Sequence, residues 1–415
     1  MASLMTIPPE LREQIYALIL HPDANRHYHE DEYTSYSYQD AVQLFLVNRQ
    51  IYHESRKIFQ ELNTFVRVET PWPEAQFHVA REGHVPLIAP GGRAARFEGH
   101  SMTVGIDAPE VPVSQEAAID QAYANEEIQM EPGDEQPFLI LLEDLDKFCT
   151  MWFYSSLSHE ALNPQLRLDL TLRDPRPHQE KHLQKSLQRR LLLPFAQVKN
   201  LRSMVVTGDP KPDASVEAEL RELQKEPHKR PEQCLREAIQ FKAEGNAQLT
   251  AGHPREALEI YHQAWLAMHV VIKGRRRHIH ADHFFAREMR EEPFTGKNGQ
   301  SERLILRVQL VANTCLAYIK LEQWEDCAFW GMRSIGMIRE AMGADDRYDI
   351  PPEDEAVLGF PAANQMGKIY YRTALAKKAM EDKTSARKLL RVAAIYLPRD
   401  ENVKQELAAC ALRLG

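Results

Sequence analysis

Two pairs of polar residues in the second half of the chain have the spacing of a binding surface. Lys242 and Asn246 lie four residues apart in the stretch FKAEGNAQL, and Lys368 and Arg372 repeat this interval in GKIYYRTAL. Residues at positions i and i+4 project from the same side of a helix. One such pair is typical of a solvated helix face. It lines a binding groove only if neighbouring helices supply matching side chains.

The helices that would position these pairs carry a repeated pattern of small residues. Three sets share intervals of four and seven residues, namely Ala257, Tyr261 and Ala264, then Cys327, Gly331 and Ser334, then Ala386, Leu390 and Ala393. Small side chains at these intervals let two antiparallel helices approach closely, and Pro398 ends the last helix. We therefore predict a series of helix pairs between residues 232 and 415.

This pattern resembles the tetratricopeptide repeat, a helix-turn-helix unit of about 34 residues. The resemblance implies an α-solenoid of about three repeats over 232–415, closed by a capping helix in the stretch DENVKQELAACALRL. The sets of small residues are farther apart than one repeat, so insertions are expected at 273–302 and 342–360. A helical bundle without this repeat is the alternative.

The resemblance also implies a ligand. In these repeats the first helix of each pair lines the concave surface, and five residues match the two-carboxylate clamp of co-chaperone tetratricopeptide domains: Lys242, Asn246, Asn313, Lys368 and Arg372. Such a clamp implies binding of the acidic C-terminal tail of cytosolic heat-shock chaperones, which ends in Glu-Glu-Val-Asp. Lysine and arginine give carboxylates charge-assisted hydrogen bonds, and asparagine adds a neutral donor. We expect these side chains to face the groove and not the core. A scaffold that binds an internal peptide is the alternative.

Residues 1–66 show a second resemblance. Helical spacing follows the prolines of TIPPELREQIYALIL and returns in AVQLFLVNRQIYHESRKIFQELNTFV. The region resembles the fungal F-box-like families through Pro8, Pro9, Glu10, Leu11, Arg12, Ile15, Tyr16, Val47, Arg49, Gln50, Ile51, Glu54, Asn63, Thr64 and Phe65. This implies that residues 5–66 dock the adaptor of a cullin-type ubiquitin ligase, with the chain as its substrate receptor. A helical unit that merely packs on the next domain is the alternative.

Strand and helix patterns alternate in residues 67–210, which are predicted to form a small α/β region. The stretch LRLDLTLRD, residues 166–174, alternates leucine with polar residues, as a half-buried strand does. A helical stretch and a second strand at 201–209 then predict a βαβ crossover in a mixed sheet. The acidic stretch 107–137 is predicted to be a surface loop. The charged stretch 211–231 is predicted to be a linker with some helical content.

The composition indicates a multi-domain protein without a membrane or nucleic-acid partner. Of the 415 residues, 43% are hydrophobic and 27% are charged, as in ordinary globular proteins, and the net charge of −9 disfavours polyanions. Charges interrupt the longest apolar stretch, PFLILLEDLDKFCTMWFYSSL, and no signal peptide is recognisable. Five cysteines lack paired spacing, which fits a reducing compartment. We expect a cytoplasmic protein, with a nuclear location as the alternative.

No sequence motif indicates catalysis, a cofactor or a metal site. GxSxG, P-loop and GxGxxG patterns are missing, so we expect a binding protein and not an enzyme. The stretch HIHADH holds His278, His280 and His283, a combination that can bind a transition metal. Beside the run GRRR, a solvated basic loop is the preferred interpretation. A nucleic-acid contact or a nuclear-import signal is the alternative for that run. Trp152 and Phe153 are predicted to lie in the core.

Overall fold

Regular elements follow the sequence periodicities over most of the computed structural model, which describes residues 4–29, 34–108, 136–176, 183–341 and 351–410. The chain is mostly helical and contains a small mixed sheet, in agreement with the predicted mainly-α fold class. It divides into a first unit, Met1–His228, and a second unit, Lys229–Gly415.

Twelve helices of eight or more residues occur in the described ranges. They are α1 (Pro9–Leu20), α2 (Arg49–Leu62), α3 (Leu142–Ser158), α4 (Lys185–Leu192), α5 (Ala214–Lys225), α6 (Pro231–Ala251), α7 (Pro254–Ala267), α8 (Gly299–Lys320), α9 (Trp324–Ala341), α10 (Ala363–Ala379), α11 (Lys383–Tyr396) and α12 (Glu401–Ala409). Shorter helical segments are Leu4–Thr6, Pro22–Asn25, Ala41–Leu46, Ala75–Phe77, His78–Glu82, Gly92–Ala95, Asn163–Gln165, Leu193–Gln197, Asp282–Phe285 and Pro352–Glu355.

The strands form one large sheet and two hairpin-sized sheets. They are β1 (Arg26–Tyr28), β2 (Thr34–Tyr36), β3 (Phe65–Glu69), β4 (Ala89–Pro90), β5 (His100–Asp107), β6 (Phe138–Leu141), β7 (Arg167–Arg173), β8 (Ser203–Asp209), β9 (Val270–Lys273) and β10 (Arg276–Ile279). The large sheet has the order β4-β6-β3-β5-β7-β8, and β1 pairs with β2 and β9 with β10.

The predicted βαβ crossover is confirmed in the first unit. Strands β7 and β8 are parallel neighbours, and α4 lies between them in the sequence. The alternating leucines of β7, namely Leu168, Leu170 and Leu172, are buried, as the strand pattern predicts. Trp152 of α3 is buried in the same core, which confirms its predicted position, whereas Phe153 is only half-buried. Of the predicted acidic loop at 107–137, residues 109–135 lie outside the described residues.

The N-terminal helices belong to the same compact unit as the sheet, although a domain boundary was expected at residue 66. Tyr16 of α1 and Ile51 of α2 share an apolar cluster with Phe65 of β3 and Leu141 of β6. Most members of that cluster come from residues 1–66, and Leu141 joins it from the sheet, so the N-terminal helices bury their apolar faces partly against the sheet.

The expected linker at 211–231 contains a packed helix. Asp213 caps α5 by accepting hydrogen bonds from the backbone of Ser215 and Val216. Val216 and Leu220, four residues apart, are fully buried in the core around the sheet. The high charge of the stretch concealed this narrow apolar stripe, so the expected linker is in large part a structural element of the first unit.

The second unit consists of three helical hairpins, α6–α7, α8–α9 and α10–α11, followed by α12. The predicted small residues lie where the helices approach most closely. A Cβ atom on Gly331 of α9 would lie 1.9 Å from Thr373 Oγ1 of α10, and one on Gly245 of α6 would lie 2.4 Å from the Tyr261 ring of α7. No side chain larger than hydrogen fits these positions without a shift.

The expected insertions have defined structure where they are described. The β9–β10 hairpin and the segment Asp282–Phe285 lie between α7 and α8, so the run GRRRHIHADH is not the solvated loop that was expected. Phe284 and Phe285 are buried, and their burial anchors the segment. Of the expected insertion at 342–360, residues 342–350 lie outside the described residues. Glu355 in its second half is buried and accepts hydrogen bonds from Arg339 and Tyr370.

Candidate functional site

Helices α6 and α8 lie side by side with one shared register. The Nζ of Lys242 donates a hydrogen bond to the side-chain oxygen of Gln309, and one turn later the Nδ2 of Asn313 donates to Oδ1 of Asn246 at 2.6 Å. Both pairs are separated by 67 residues in sequence. An equal offset at two successive turns requires the two helices to run in the same direction. Lys242, Asn246, Gln309 and Asn313 therefore form one continuous polar surface.

Asn246 is the centre of this surface. Its Oδ1 atom also accepts a hydrogen bond from the hydroxyl of Tyr261 at 2.8 Å. Burial raises the pKa of that hydroxyl to about 12, so Tyr261 stays protonated and remains a donor. With its oxygen occupied twice, Asn246 keeps its Nδ2 group as a donor that has no hydrogen-bond partner among the described residues.

Arg372 connects α10 to the same surface. Its Nη1 atom donates to the backbone oxygen of Ala312, the residue before Asn313. Burial lowers the pKa of the Arg372 guanidinium, which stays charged at neutral pH. The predicted third helix of the groove therefore contacts the second helix directly.

Lys368 lies one turn before Arg372 on α10. Its side chain is half-buried, and within the described ranges its Nζ atom makes no hydrogen bond and no ion pair. Two of the three cations thus bind neutral acceptors of the protein, and the third binds none.

The surface has an uncompensated positive charge. No described carboxylate forms an ion pair with Lys242, Lys368 or Arg372. Burial lowers the pKa of the Lys242 ammonium, because no anion offsets the loss of water. A partly desolvated group of cations of this kind attracts a carboxylate more strongly than it attracts a neutral ligand.

One expectation about the five residues needs correction. They were expected to face a groove and to leave the core unaffected. Instead, Lys242, Asn246, Asn313 and Arg372 hold neighbouring helices together through hydrogen bonds. Their loss is therefore expected to lower stability as well as binding, because each leaves a partly buried partner unsatisfied. Lys368 is the member whose described contacts fit the original expectation.

Gln309 is the residue that the sequence interpretation missed. It precedes Asn313 by four residues, just as Lys242 precedes Asn246 and Lys368 precedes Arg372. The three helices thus each contribute one i, i+4 pair. That repeated interval was a usable signal, but an uncharged glutamine does not match the expected clamp.

The other candidate positions are less well defined. A cavity of about 990 Å³ lies in the first unit near the ends of β7 and β8. Its described lining includes the arginines Arg56, Arg173 and Arg176 and the acidic residues Glu98, Asp174 and Asp209. This balance of charge selects neither anions nor cations. Around His278 and His280, whose rings stack at 6.4 Å, the described side chains form no group of three that could hold a metal ion.

Comparison of the chain with protein-family models, with curated proteins and with solved structures found no match. None of the described helices has both the length and the apolar character needed to span a membrane. The functional assignment therefore depends on the geometry and charge of the α6–α8–α10 surface.

Proposed function

We propose that the second unit is a tetratricopeptide-like peptide receptor whose α6–α8–α10 surface binds an acidic chain terminus. The expected ligand is a tail of the Glu-Glu-Val-Asp type, as on cytosolic heat-shock chaperones, and the protein acts as a non-enzymatic adaptor. The observation that supports this proposal is the presence of three cations without a carboxylate partner in the described chain, Lys242 on α6 and both Lys368 and Arg372 on α10.

The contacts within the surface suggest how a tail would bind. The Nζ of Lys368 and the Nδ2 of Asn246 are available donors for one carboxylate. Lys242 and Arg372 now bind neutral oxygens, and a carboxylate is a stronger acceptor for either of them. Each charged contact contributes about 1.5–3 kcal/mol. After the cost of ordering a flexible tail, several such contacts give an affinity in roughly the micromolar range.

Titration of the full chain with a peptide ending in Glu-Glu-Val-Asp tests the proposal, with affinity measured by calorimetry. Lys368→Ala is the best variant because it breaks no described contact of the folded chain. We expect it to weaken binding about tenfold or more. The matched control is Lys383→Ala, which removes an exposed lysine at the start of α11. The control should bind like the wild type.

A peptide with a C-terminal amide tests whether the groove binds a free chain terminus or an internal peptide. Amidation removes the terminal charge, so a receptor for chain ends should lose most of its affinity. Equal binding of the amidated and free-acid peptides would instead support a scaffold for internal peptides and contradict the proposal. Binding of the free acid should also weaken as salt rises, because partly exposed charge pairs are screened.

The second candidate function is docking of a ubiquitin-ligase adaptor by the N-terminal helices. The observation that favours it is a set of apolar side chains exposed on α1 and at the end of the segment Ala41–Leu46. The exposed fractions are 48% for Leu11, 74% for Leu18, 78% for Leu46 and 60% for Val47. Several exposed apolar residues in one region are typical of a protein-binding surface.

Co-purification of the full chain with an F-box adaptor at low salt tests this second function. Deletion of residues 1–66 is unsuitable, because Tyr16 and Ile51 pack against the strands of the sheet. Leu18→Asp changes only an exposed side chain and should abolish adaptor capture. Leu304→Asp, at a 41% exposed position of α8, is the control and should leave capture intact. If the wild-type chain captures no adaptor, the N-terminal helices serve for packing alone.

A further inference from the structure

Three arginines meet where the β9–β10 hairpin and the segment Asp282–Phe285 cover helix α8. Arg303 is fully buried, and its guanidinium donates to the backbone oxygens of Met268 and His280 and pairs with Asp282 at 2.9 Å. It also lies over the Phe285 ring. The guanidinium of Arg303 therefore has acceptors within the protein, and Asp282 is its counter-ion.

Arg277 of the hairpin is inserted between two tryptophans. Its guanidinium carbon lies 4.6 Å from the centre of the Trp265 ring and 4.3 Å from that of Trp330. Cation–π contact with both indoles holds the guanidinium in place but supplies no hydrogen-bond acceptor for its N–H groups. None of the described residues forms an ion pair with Arg277, and its buried Nε atom has no acceptor.

Arg307 of α8 is the least satisfied of the three. Only 8% of its surface is exposed, yet within the described ranges it makes no hydrogen bond, ion pair or ring contact. Arg307 lies one turn after Arg303 on α8, and Arg303 binds the backbone of His280 just after β10, so Arg307 is on the face of α8 next to the hairpin that carries Arg277. Leaving a buried charge without a partner costs several kcal/mol, so a counter-ion is expected at this position.

The protein supplies too little negative charge here. Asp282 is the carboxylate that interacts electrostatically with Arg307, but its ion pair is with Arg303. Because the Asp282 side chain is 59% exposed, the arginine cluster is close to the surface at this point. Arg333 of α9 adds further positive charge near Arg277. The excess is local, since the whole chain has a net charge of −9.

We propose that Arg277 and Arg307 form a phosphate-binding site on the second unit, covered in part by the β9–β10 hairpin. Two guanidinium groups match the charge and the several acceptor oxygens of a phosphate dianion better than those of a single carboxylate. The site is distinct from the groove. Arg307 is two residues from Gln309 and is thus turned by about 200° around α8, away from the groove surface.

Calorimetric titration of the full chain with inorganic phosphate tests the proposal. The pH should be about 8, where phosphate is mostly dianionic, and chloride and acetate at matched ionic strength serve as reference ions. We expect Arg307→Met to weaken phosphate binding about tenfold or more. Arg255→Met removes an exposed arginine of α7 and should change nothing. Phosphoserine is titrated in parallel. Its binding would extend the site to phosphorylated chains, whereas binding of free phosphate alone would restrict it to the ion.

Thermal unfolding without phosphate provides an independent readout. A buried arginine with an internal partner would destabilise the protein when replaced, whereas an unpartnered one should leave the melting temperature equal or higher. Phosphate should then raise the melting temperature of the wild type but not that of Arg307→Met. Arg307→Gln is a second variant with the same expected loss of binding, should the methionine variant fail to fold. Phosphate binding no stronger than that of acetate, or undiminished in both variants, would overturn the proposal.

Discussion

At the scale of single residues, several of the residues that carry the resemblance to F-box-like families hold the first two long helices together. Arg12 of α1 is almost fully buried and donates to both carboxylate oxygens of Glu54 on α2, at 2.9 and 2.6 Å. The hydroxyl of Tyr16 donates to the same carboxylate at 3.0 Å. Asn63 adds a hydrogen bond to the last turn of α1, at the backbone oxygen of Leu20. These motif residues therefore hold α1 against α2, whether or not an adaptor docks.

Replacement of Glu54 by glutamine should destabilise the first unit in a pH-dependent way. The hydrogen bonds from Arg12 lower the pKa of the Glu54 carboxyl from 4.5 to about 2. Because the carboxyl has a lower pKa in the folded than in the unfolded state, its ionised form stabilises the folded protein. This stabilisation is fully present above about pH 4.5 and is lost as the pH falls towards 2. We expect Glu54→Gln to cost about 2–3 kcal/mol at pH 7, and clearly less at about pH 3.

Urea unfolding at both pH values measures this difference. Glu61→Gln removes an exposed glutamate from the same helix and is the matched control. Its effect should be small at either pH. A cost of Glu54→Gln that is the same at pH 7 and pH 3 would show that the ion pair contributes little and that the substitution acts through packing.

At the scale of elements, the second unit depends on the close approach of helices at glycine. Thr373 of α10 is fully buried and its hydroxyl is bonded to the backbone of Ile369, so it has little freedom to move away from Gly331. Gly336, five residues later on α9, has no atom within 4 Å of the position where a Cβ would be. The two glycines thus separate the effect of packing from that of helix propensity.

Gly331→Ala and Gly336→Ala are expected to change stability in opposite directions. Alanine favours a helix over glycine by about 1 kcal/mol, so Gly336→Ala should stabilise the second unit. Gly331→Ala gains the same propensity but forces overlap with Thr373, which costs about 1–3 kcal/mol. The difference between the two variants in chemical unfolding should therefore be about 1–3 kcal/mol. Equal stability of both variants would show that α9 and α10 do not pack as tightly as described.

The elements that sequence could predict are those with a strong period. The leucine alternation of β7 and the helix pairs of the second unit belong to this group, since their apolar faces determine which side is buried. The packing of helix α5 into the core was missed, because only Val216 and Leu220 give it an apolar stripe among many charges. The β9–β10 hairpin was missed because Arg277 lies over the rings of Trp265 and Trp330, which are on two other helices.

Prediction of the candidate site from the sequence is limited in the same way. The i, i+4 intervals place Lys242 with Asn246, and Lys368 with Arg372, because helical geometry alone fixes those relations. The pairing of Lys242 with Gln309 and of Arg372 with the Ala312 carbonyl depends on how three helices pack. A sequence pattern carries no information on which acceptor from a neighbouring helix each cation will contact. For this reason the internal hydrogen bonds of the surface, and the different position of Lys368, became visible only in the structure.

At the scale of the whole molecule, the chain consists of two compact units with separate cores. The first unit buries its sheet under α3, α4 and α5, and the second buries residues such as Tyr261, Leu310 and Tyr370 between its helices. The proposed functions are divided in the same way. Adaptor docking is assigned to Met1–His228, and both the groove and the phosphate site are assigned to Lys229–Gly415. An adaptor that brings two partners together needs such a division, because each partner then binds its own folded body.

Differential scanning calorimetry of the full chain should therefore show two transitions that point variants can identify. Glu54→Gln lies in the first unit and should lower one transition by at least about 4 °C, given a cost of about 2 kcal/mol in a unit of this size. Gly336→Ala lies in the second unit and should raise the other. The tail peptide stabilises only the state that binds it, so it should raise the same transition as Gly336→Ala.

If either variant moves both transitions, or if a single transition responds to all three changes, the two units unfold as one cooperative body. Binding at the groove would then be coupled to the N-terminal helices, and the separate assignment of the two functions would be wrong.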